Sequence, residues 1–249
     1  MRNIWTIAKR EYNHYFISPI AYVVAFIILF TEGIYFTYII SFYSQQALFG
    51  GMQAPDITPI NWLFVFLLVF TTPAITMRSL SDEARTGTLE LLLTAPIRDY
   101  ELIIGKWLGG LLFVLTILAV TLVYAIIMNS LVTPGIDQQL MISSYLGVIL
   151  AAAALLALGV GISAIFTNQI AAFFATFGLF FILWFMMGIF GNLVQGSGAQ
   201  VFQYLNISAH FSDALNTGSI KLSDLVYFLS LIALGLFTGT TAVEIRRWR

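Results

Sequence analysis

The chain has 249 residues, 59% of them hydrophobic and only 9% charged, with a mean hydropathy of +0.92. Soluble domains carry about 25% charged residues, so this composition excludes a water-soluble fold and points to a single membrane unit. The net charge is -1 with no basic face for nucleic acid, and the absence of cysteine removes disulfides, thiolate metal sites and cysteine nucleophiles. The only histidines, His14 and His210, lie far apart, so no metal site is expected.

Residues 2–16 read as an amphipathic helix. At about 100° per residue, Ile4, Trp5, Ala8, Tyr12, Tyr15 and Phe16 share one arc, with Arg2, Thr6, Lys9, Arg10, Asn13 and His14 opposite. A helix basic on its polar face is expected to lie in the membrane interface. Ser18-Pro19 separates it from the first long apolar run, which is too long for a signal-peptide core.

Six runs read as membrane spans: residues 20–42, 60–77, 102–128, 141–166, 170–190 and 222–243. Glu32 sits near the middle of the first. A charge at mid-membrane costs about 2.5–3.5 kcal/mol on insertion scales, so Glu32 is expected to face protein or water, or to be protonated. It either contacts substrate, relays protons, or pairs with a polar group of another span. Asn61 begins the second span and Asn192 follows the fifth; both fit helix ends, and Asn61 joins Glu32 as a candidate for the substrate pathway. Thr167, Asn168 and Gln169 form a tight turn between spans four and five. The fifth span is rich in phenylalanine. Phe177 and Phe181 either meet lipid or form an apolar wall for a hydrophobic or amphipathic substrate. Residues 191–221 are too polar to span, and His210 and Asp213 there are placed to join one polar cluster.

Six spans put both termini on one side. Ten of the 11 basic residues fall on that side, and only Lys221 lies opposite. The positive-inside rule therefore assigns both termini, and the segment between spans two and three, to the cytoplasm. Small residues four apart mark close helix approach. Ala153, Ala157 and Gly161 make the fourth span the expected centre, with Gly105/Gly109 and Gly235/Gly239 as further pairs.

The segment from Arg78 to Lys106 holds nine of the 11 basic and 12 acidic residues. Gly87 is expected to break the helix leaving the second span, and Thr88 to cap a short new one. Leu89, Leu92 and Leu93 would share its face with Glu90 off it, and Pro96 would end it. Asp99 is placed to cap the third span, with Glu101 in its first turn. Lys106 is expected to reach out to the lipid headgroups. An exposed leucine face flanked by charge fits protein docking.

RSLSDEARTGTLELLLTAPI followed by RDYELIIGK resembles the signature of permease subunits of type-2 ABC exporters. KREYNHYFISPIAYV and HFSDALNTGSIKLSDLVYFLSL resemble the gliding-motility-type branch of that family, so the likeness covers essentially the whole chain. It implies an all-α fold: an interfacial elbow helix, six transmembrane helices, a cytoplasmic coupling helix in the 78–101 loop, and re-entrant helices within 191–221. It further implies a dimer with a second permease copy or paralogue, seated in the bilayer, and cytoplasmic ABC ATPase subunits that carry ATP and Mg; no cofactor is expected on this chain. By match, Glu83, Arg85, Gly87, Thr88, Leu89, Glu90, Leu92, Leu93 and Pro96 fall in the coupling segment, and Thr167, Asn168 and Gln169 form a second contact. Asn216-Thr217-Gly218 departs from the family pattern, which often has a basic residue before the glycine.

No G-x-x-x-x-G-K-[ST], H-E-x-x-H or G-x-S-x-G occurs, so the chain is not expected to be an enzyme by itself. The leading expectation is a permease of an ATP-driven exporter working by alternating access in a bacterial or archaeal cytoplasmic membrane. The alternatives are a proton-coupled carrier using Glu32 and a membrane scaffold that transports nothing.

Overall fold

Apolar runs satisfy their backbone groups away from water by forming continuous helices, and every regular element among the described residues is helical. The structure, a computed structural model, describes residues 2–48, 55–88, 97–133, 135–194, 196–213 and 215–247. In chain order these are α1 (Arg2–Tyr15), α2 (Pro19–Leu48), α3 (Thr58–Thr76), α4 (Ser81–Thr86), α5 (Asp99–Leu131), α6 (Gln138–Ile165) and α7 (Gln169–Phe181). A π-helical turn (Ile182–Met186) then leads into α8 (Met187–Leu193), followed by α9 (Ser197–Leu205), α10 (Ile207–Ser212), a 3-10 turn (Leu215–Thr217) and α11 (Leu222–Arg247). Six helical stretches are long and apolar enough to cross a membrane: α2, α3 with α4, α5, α6, α7 through α8, and α11.

The fourth span, α6, is the centre of the bundle. It packs against α3, α5, α7 and α11, and 78% of its apolar stretch is buried, against 22% for α2. Lipid gives apolar side chains no reason to cluster, so close backbone approach supplies the contact. A Cβ on Gly161 would run into the carbonyl oxygen of Gly235, and one on Gly235 into the backbone of Ala157. On the α3 side, a Cβ on Gly159 would come within 2.5 Å of Thr76 Oγ1. The expected small-residue ladder is therefore a seam between α6 and α11.

Gly105 and Gly109 meet α1 rather than another span. A Cβ on Gly105 would lie 2.7 Å from Ile7 Cβ, and one on Gly109 2.5 Å from Glu11 Cβ. Much of the apolar arc of α1 packs on α5 as well, with Tyr15 stacked on Phe113 at 5.0 Å and Tyr12 bonded to Thr116 at 3.1 Å. Ala8 is buried, Ile7 and Glu11 face α5, and Trp5 is 60% exposed.

The region between spans five and six is a set of short helices. α9 folds back on α8 through Gly196, whose φ of 81° is in the range glycine favours. A Cβ on Gly191 would press Gln203 Cγ at 2.8 Å, so the two helices need glycine at this crossing.

Candidate coupling face and membrane pathway

α3 ends at Thr76, and after a short turn α4 resumes from Ser81 and stops at Gly87, which adopts the left-handed conformation (φ 74°, ψ 0°). The break is held from α6: Ser163 Oγ accepts from the Leu80 and Ser81 amides (3.1 and 3.3 Å) and donates to Met77 O (3.3 Å). The turn before α7 is fixed by Asn168, whose side chain accepts from the amides of Ile170 (2.8 Å) and Ala171 (3.4 Å). Gln169 Nε2 then donates to Asp82 Oδ1 at 2.5 Å. The 78–101 loop and the turn at residues 167–169, both singled out by the sequence, are joined through this bond. Arg85, Gly87, Thr88, Thr167 and Asn168 are exposed around that joint. Leu89, Glu90, Leu92, Leu93 and Pro96 lie outside the described residues.

Glu83 takes part in a buried ionic group. Lys106 is only 2% exposed; its Nζ donates to Glu11 Oε1 and to Glu83 Oε1, each at 2.9 Å. Arg10 closes the group at 3.1 Å from Glu11 and 3.6 Å from Glu83. Burial acts against the charge on Glu11, but Lys106 and then Arg10 outweigh it and hold its carboxyl below the ordinary carboxylate range. Lys106 therefore does not extend to the headgroups. Gly105 and Gly109 bring α1 so close that Glu11 offers its ammonium a nearer partner. A cavity of about 750 Å³ opens beside this group, between α1, the start of α2 and the end of α3. Arg78, exposed and without a partner among the described residues, stands at its wall.

The start of α5 and the end of α11 complete the face. Glu101 Oε2 accepts from the Arg98 amide and from Asn3 Nδ2, both at 3.1 Å. Asp99 does not cap α5 as its position predicted. Arg98 is the cap residue, and Asp99 pairs with Arg247 at 3.0 Å. Arg246 donates to the carbonyl of Ile165 at 3.0 Å. One end of the bundle is thus knit from α1, α4, α5, α6, α7 and α11 by charged and polar side chains.

Along the membrane, α3 and α7 share an aromatic ladder. Trp62, Phe66 and Phe70 succeed one another on α3 at 5.2 and 5.1 Å between ring centroids. Phe173, Phe177, Phe181 and Phe185 do so across α7 and the π turn at 6.2, 6.3 and 5.0 Å. The rows meet at Phe70–Phe177 (5.8 Å) and Phe66–Phe185 (6.3 Å). Phe70 and Phe181 also open outward, at 38% and 40% exposure.

At the opposite end, Asn61 Nδ2 donates to Ser144 Oγ (2.7 Å), Ser144 to Asn216 Oδ1 (2.5 Å), and Asn216 Nδ2 to the carbonyl of Thr58 (3.1 Å). Asn61 is therefore bonded inside the protein, and Asn216, within the Asn216-Thr217-Gly218 departure from the family pattern, ties the 191–221 segment to α3 and α6. His210 pairs with Asp224 at 2.7 Å rather than with Asp213, because α11 begins beside it and stacks Tyr227 on its ring at 3.9 Å. Glu32 is wholly buried, and neither carboxylate oxygen has a hydrogen-bond partner among the described residues. Sequence reasoning missed Glu11 and Ser163; only Glu11, the one acid in a basic helix, carried a signal.

Six apolar helices with their Lys and Arg ion pairs gathered at one end define a multi-pass membrane protein. Residues 5–242 match the family described as ABC-2 family transporter protein, and the chain belongs to that family. It is the permease component of an ABC transporter, a transmembrane part generally not catalytic itself, in a family that works with an ATP-binding partner. No curated protein matches the chain.

Proposed function

We propose that this chain is the permease of an ABC exporter, pairing with a second copy or a paralogue and driven through its charged end by cytoplasmic ATPase subunits that bind ATP and Mg. The observation that carries this reading is the Asp82–Gln169 bond, which sets the segment after span two against the turn before span five. A push delivered to that joint reaches both rows of the aromatic ladder at once, since α3 and α7 carry them.

In this reading the charged end and both termini face the cytoplasm, since ten of the 11 basic residues gather there. α1 is the elbow helix at the membrane interface, and the short helices between spans five and six form the outer re-entrant segment. Phe177 and Phe181 belong to the pathway wall, at the interface between permeases. Arg85, Gly87 and Thr88 lead into the coupling helix, and Thr167 and Asn168 form its neighbour. Glu83 contributes by anchoring that helix to Lys106.

The test is co-purification with an ATPase followed by ATP hydrolysis in liposomes. Glu90→Arg and Leu92→Asp should abolish permease-dependent hydrolysis while leaving the chain inserted. Wild-type coupling in both variants would sink the proposal.

A further inference from the structure

Glu32 occupies a position that its helix reserves for apolar contact. The buried residues of α2 are Ala21, Val24, Ile28, Glu32 and Ile39, a seam at three-, four- and seven-residue spacing. Tyr22, Phe26, Phe30, Ile34 and Tyr38 cover the opposite, exposed face. Glu32 thus points into the bundle from the middle of the packing seam, at 0% exposure.

A carboxylate in such a place needs donors. Among the described residues no Lys, Arg or His pairs with Glu32. Of the elements packed against α2, α3 carries no titratable side chain; α6, which reaches towards Glu32, carries only Tyr145. α5 brings Tyr124, whereas its Lys106 is 18 residues, about 27 Å, away along the helix. Tyr124 and Tyr145 are within electrostatic reach of Glu32, yet both have committed their hydroxyl protons elsewhere. Tyr124 donates to Leu29 O at 3.4 Å and is fixed by stacking on Phe36 at 4.8 Å. Tyr145 donates to Thr121 O at 3.3 Å. Among the described residues neither tyrosine, nor any other group, donates to the Glu32 carboxyl, which suits a carboxylic acid and not its anion.

We propose that Glu32 is a proton-binding site: the arrangement in which span one packs on spans two and three holds it as the neutral acid, and loosening span one lets the proton go. α2 is the span to which this applies, because only 22% of its apolar stretch is buried and Glu32 lies on the part that is. Binding of the proton and packing of α2 are then linked, each favouring the other. This inference stands on burial and donor chemistry alone and goes beyond the transport reading.

The test uses the full chain in lipid nanodiscs without any ATPase, so its failure leaves the permease proposal untouched. An apolar carbodiimide, which reacts with protonated and not ionised carboxyls, should label Glu32 of the wild-type protein at neutral pH, as read by mass spectrometry. A water-soluble carbodiimide should not. The infrared spectrum should show a protonated-carboxyl band that Glu32→Gln removes. The equilibrium constant for opening should rise tenfold per pH unit once the released acid ionises, and Glu32→Gln should abolish that slope. Absence of the label on wild-type Glu32 overturns the proposal, even if the variant fails to insert. So does stability that follows sodium or potassium concentration instead of pH, which would mean an ionised carboxylate holding a cation.

Discussion

Replacing Lys106 by methionine removes the cation from a site where two carboxylates converge on it. Glu11 and Glu83 each lose a partner at 2.9 Å, and their side chains are only 13% and 20% exposed. Deleting one member of a buried ion pair costs about 3–5 kcal/mol, because the remaining charge is left without compensation. Arg10 stays at 3.1 and 3.6 Å but is 54% exposed, so it recovers at most about 1 kcal/mol. The expected loss is therefore near the lower bound, about 3 kcal/mol at neutral pH. Tryptophan fluorescence during denaturation in mixed micelles reads it. The sign with pH follows from Glu11. Its carboxyl is held below the ordinary range, so its stabilising share is full above that range and is lost as pH falls through the lowered value. In Lys106→Met, burial is no longer outweighed at Glu11, whose carboxyl then favours the proton, and acid relieves the variant. The gap to wild type should narrow towards about pH 4. A loss below about 1 kcal/mol at neutral pH, the scale of a surface pair, or a gap independent of pH, would refute the reasoning.

Gly235→Leu should cost about 1–3 kcal/mol or prevent insertion, because the new side chain meets the backbone of Ala157, which cannot swing aside; thermal melting of the detergent-solubilised chain measures it. Asn216→Ala strips partners from Ser144 and from the Thr58 carbonyl and should cost about 1–3 kcal/mol. Hydrogen exchange should show residues 215–217 losing protection while α6 keeps its own. Gln169→Ala should leave stability within about 1 kcal/mol, since Asp82 retains Arg85 at 3.1 Å. It should nevertheless lower permease-dependent ATP hydrolysis several-fold, and unchanged hydrolysis would count against the joint.

The spans and the central place of α6 were legible because both are written in single residues. An apolar run has no alternative to a helix in lipid, and Ala153, Ala157 and Gly161 can only be useful to a helix that packs tightly. Partners were less legible. Gly105 and Gly109 announced a close approach without saying to what, and the answer, α1, also decided the fate of Lys106. A lysine near the end of a span ordinarily reaches out to the headgroups. Here Glu11 sits where the glycines admit it, and a pairing across 95 residues leaves no local trace. His210 failed for a similar reason. The nearest acid in sequence was Asp213, but helical geometry turned the ring towards Asp224 and Tyr227.

Cohesion is distributed unevenly, and the two kinds of contact behave differently under load. Between α6 and α11 the backbones themselves touch through Gly161 and Gly235, so sliding one helix would force backbone into backbone. Between α3 and α7 the contact is a row of rings with centroids 5.8 and 6.3 Å apart, which tilted and edge-on geometries satisfy almost equally. At the charged end, Ser163 and the Asp82–Gln169 bond tie α3 and α7 to α6, while at the other end Asn216 ties only α3 and α6. The fifth span is therefore bonded through side chains where the loops meet, and its aromatic contact with α3 would tolerate tilt better than the backbone seam of α6 and α11.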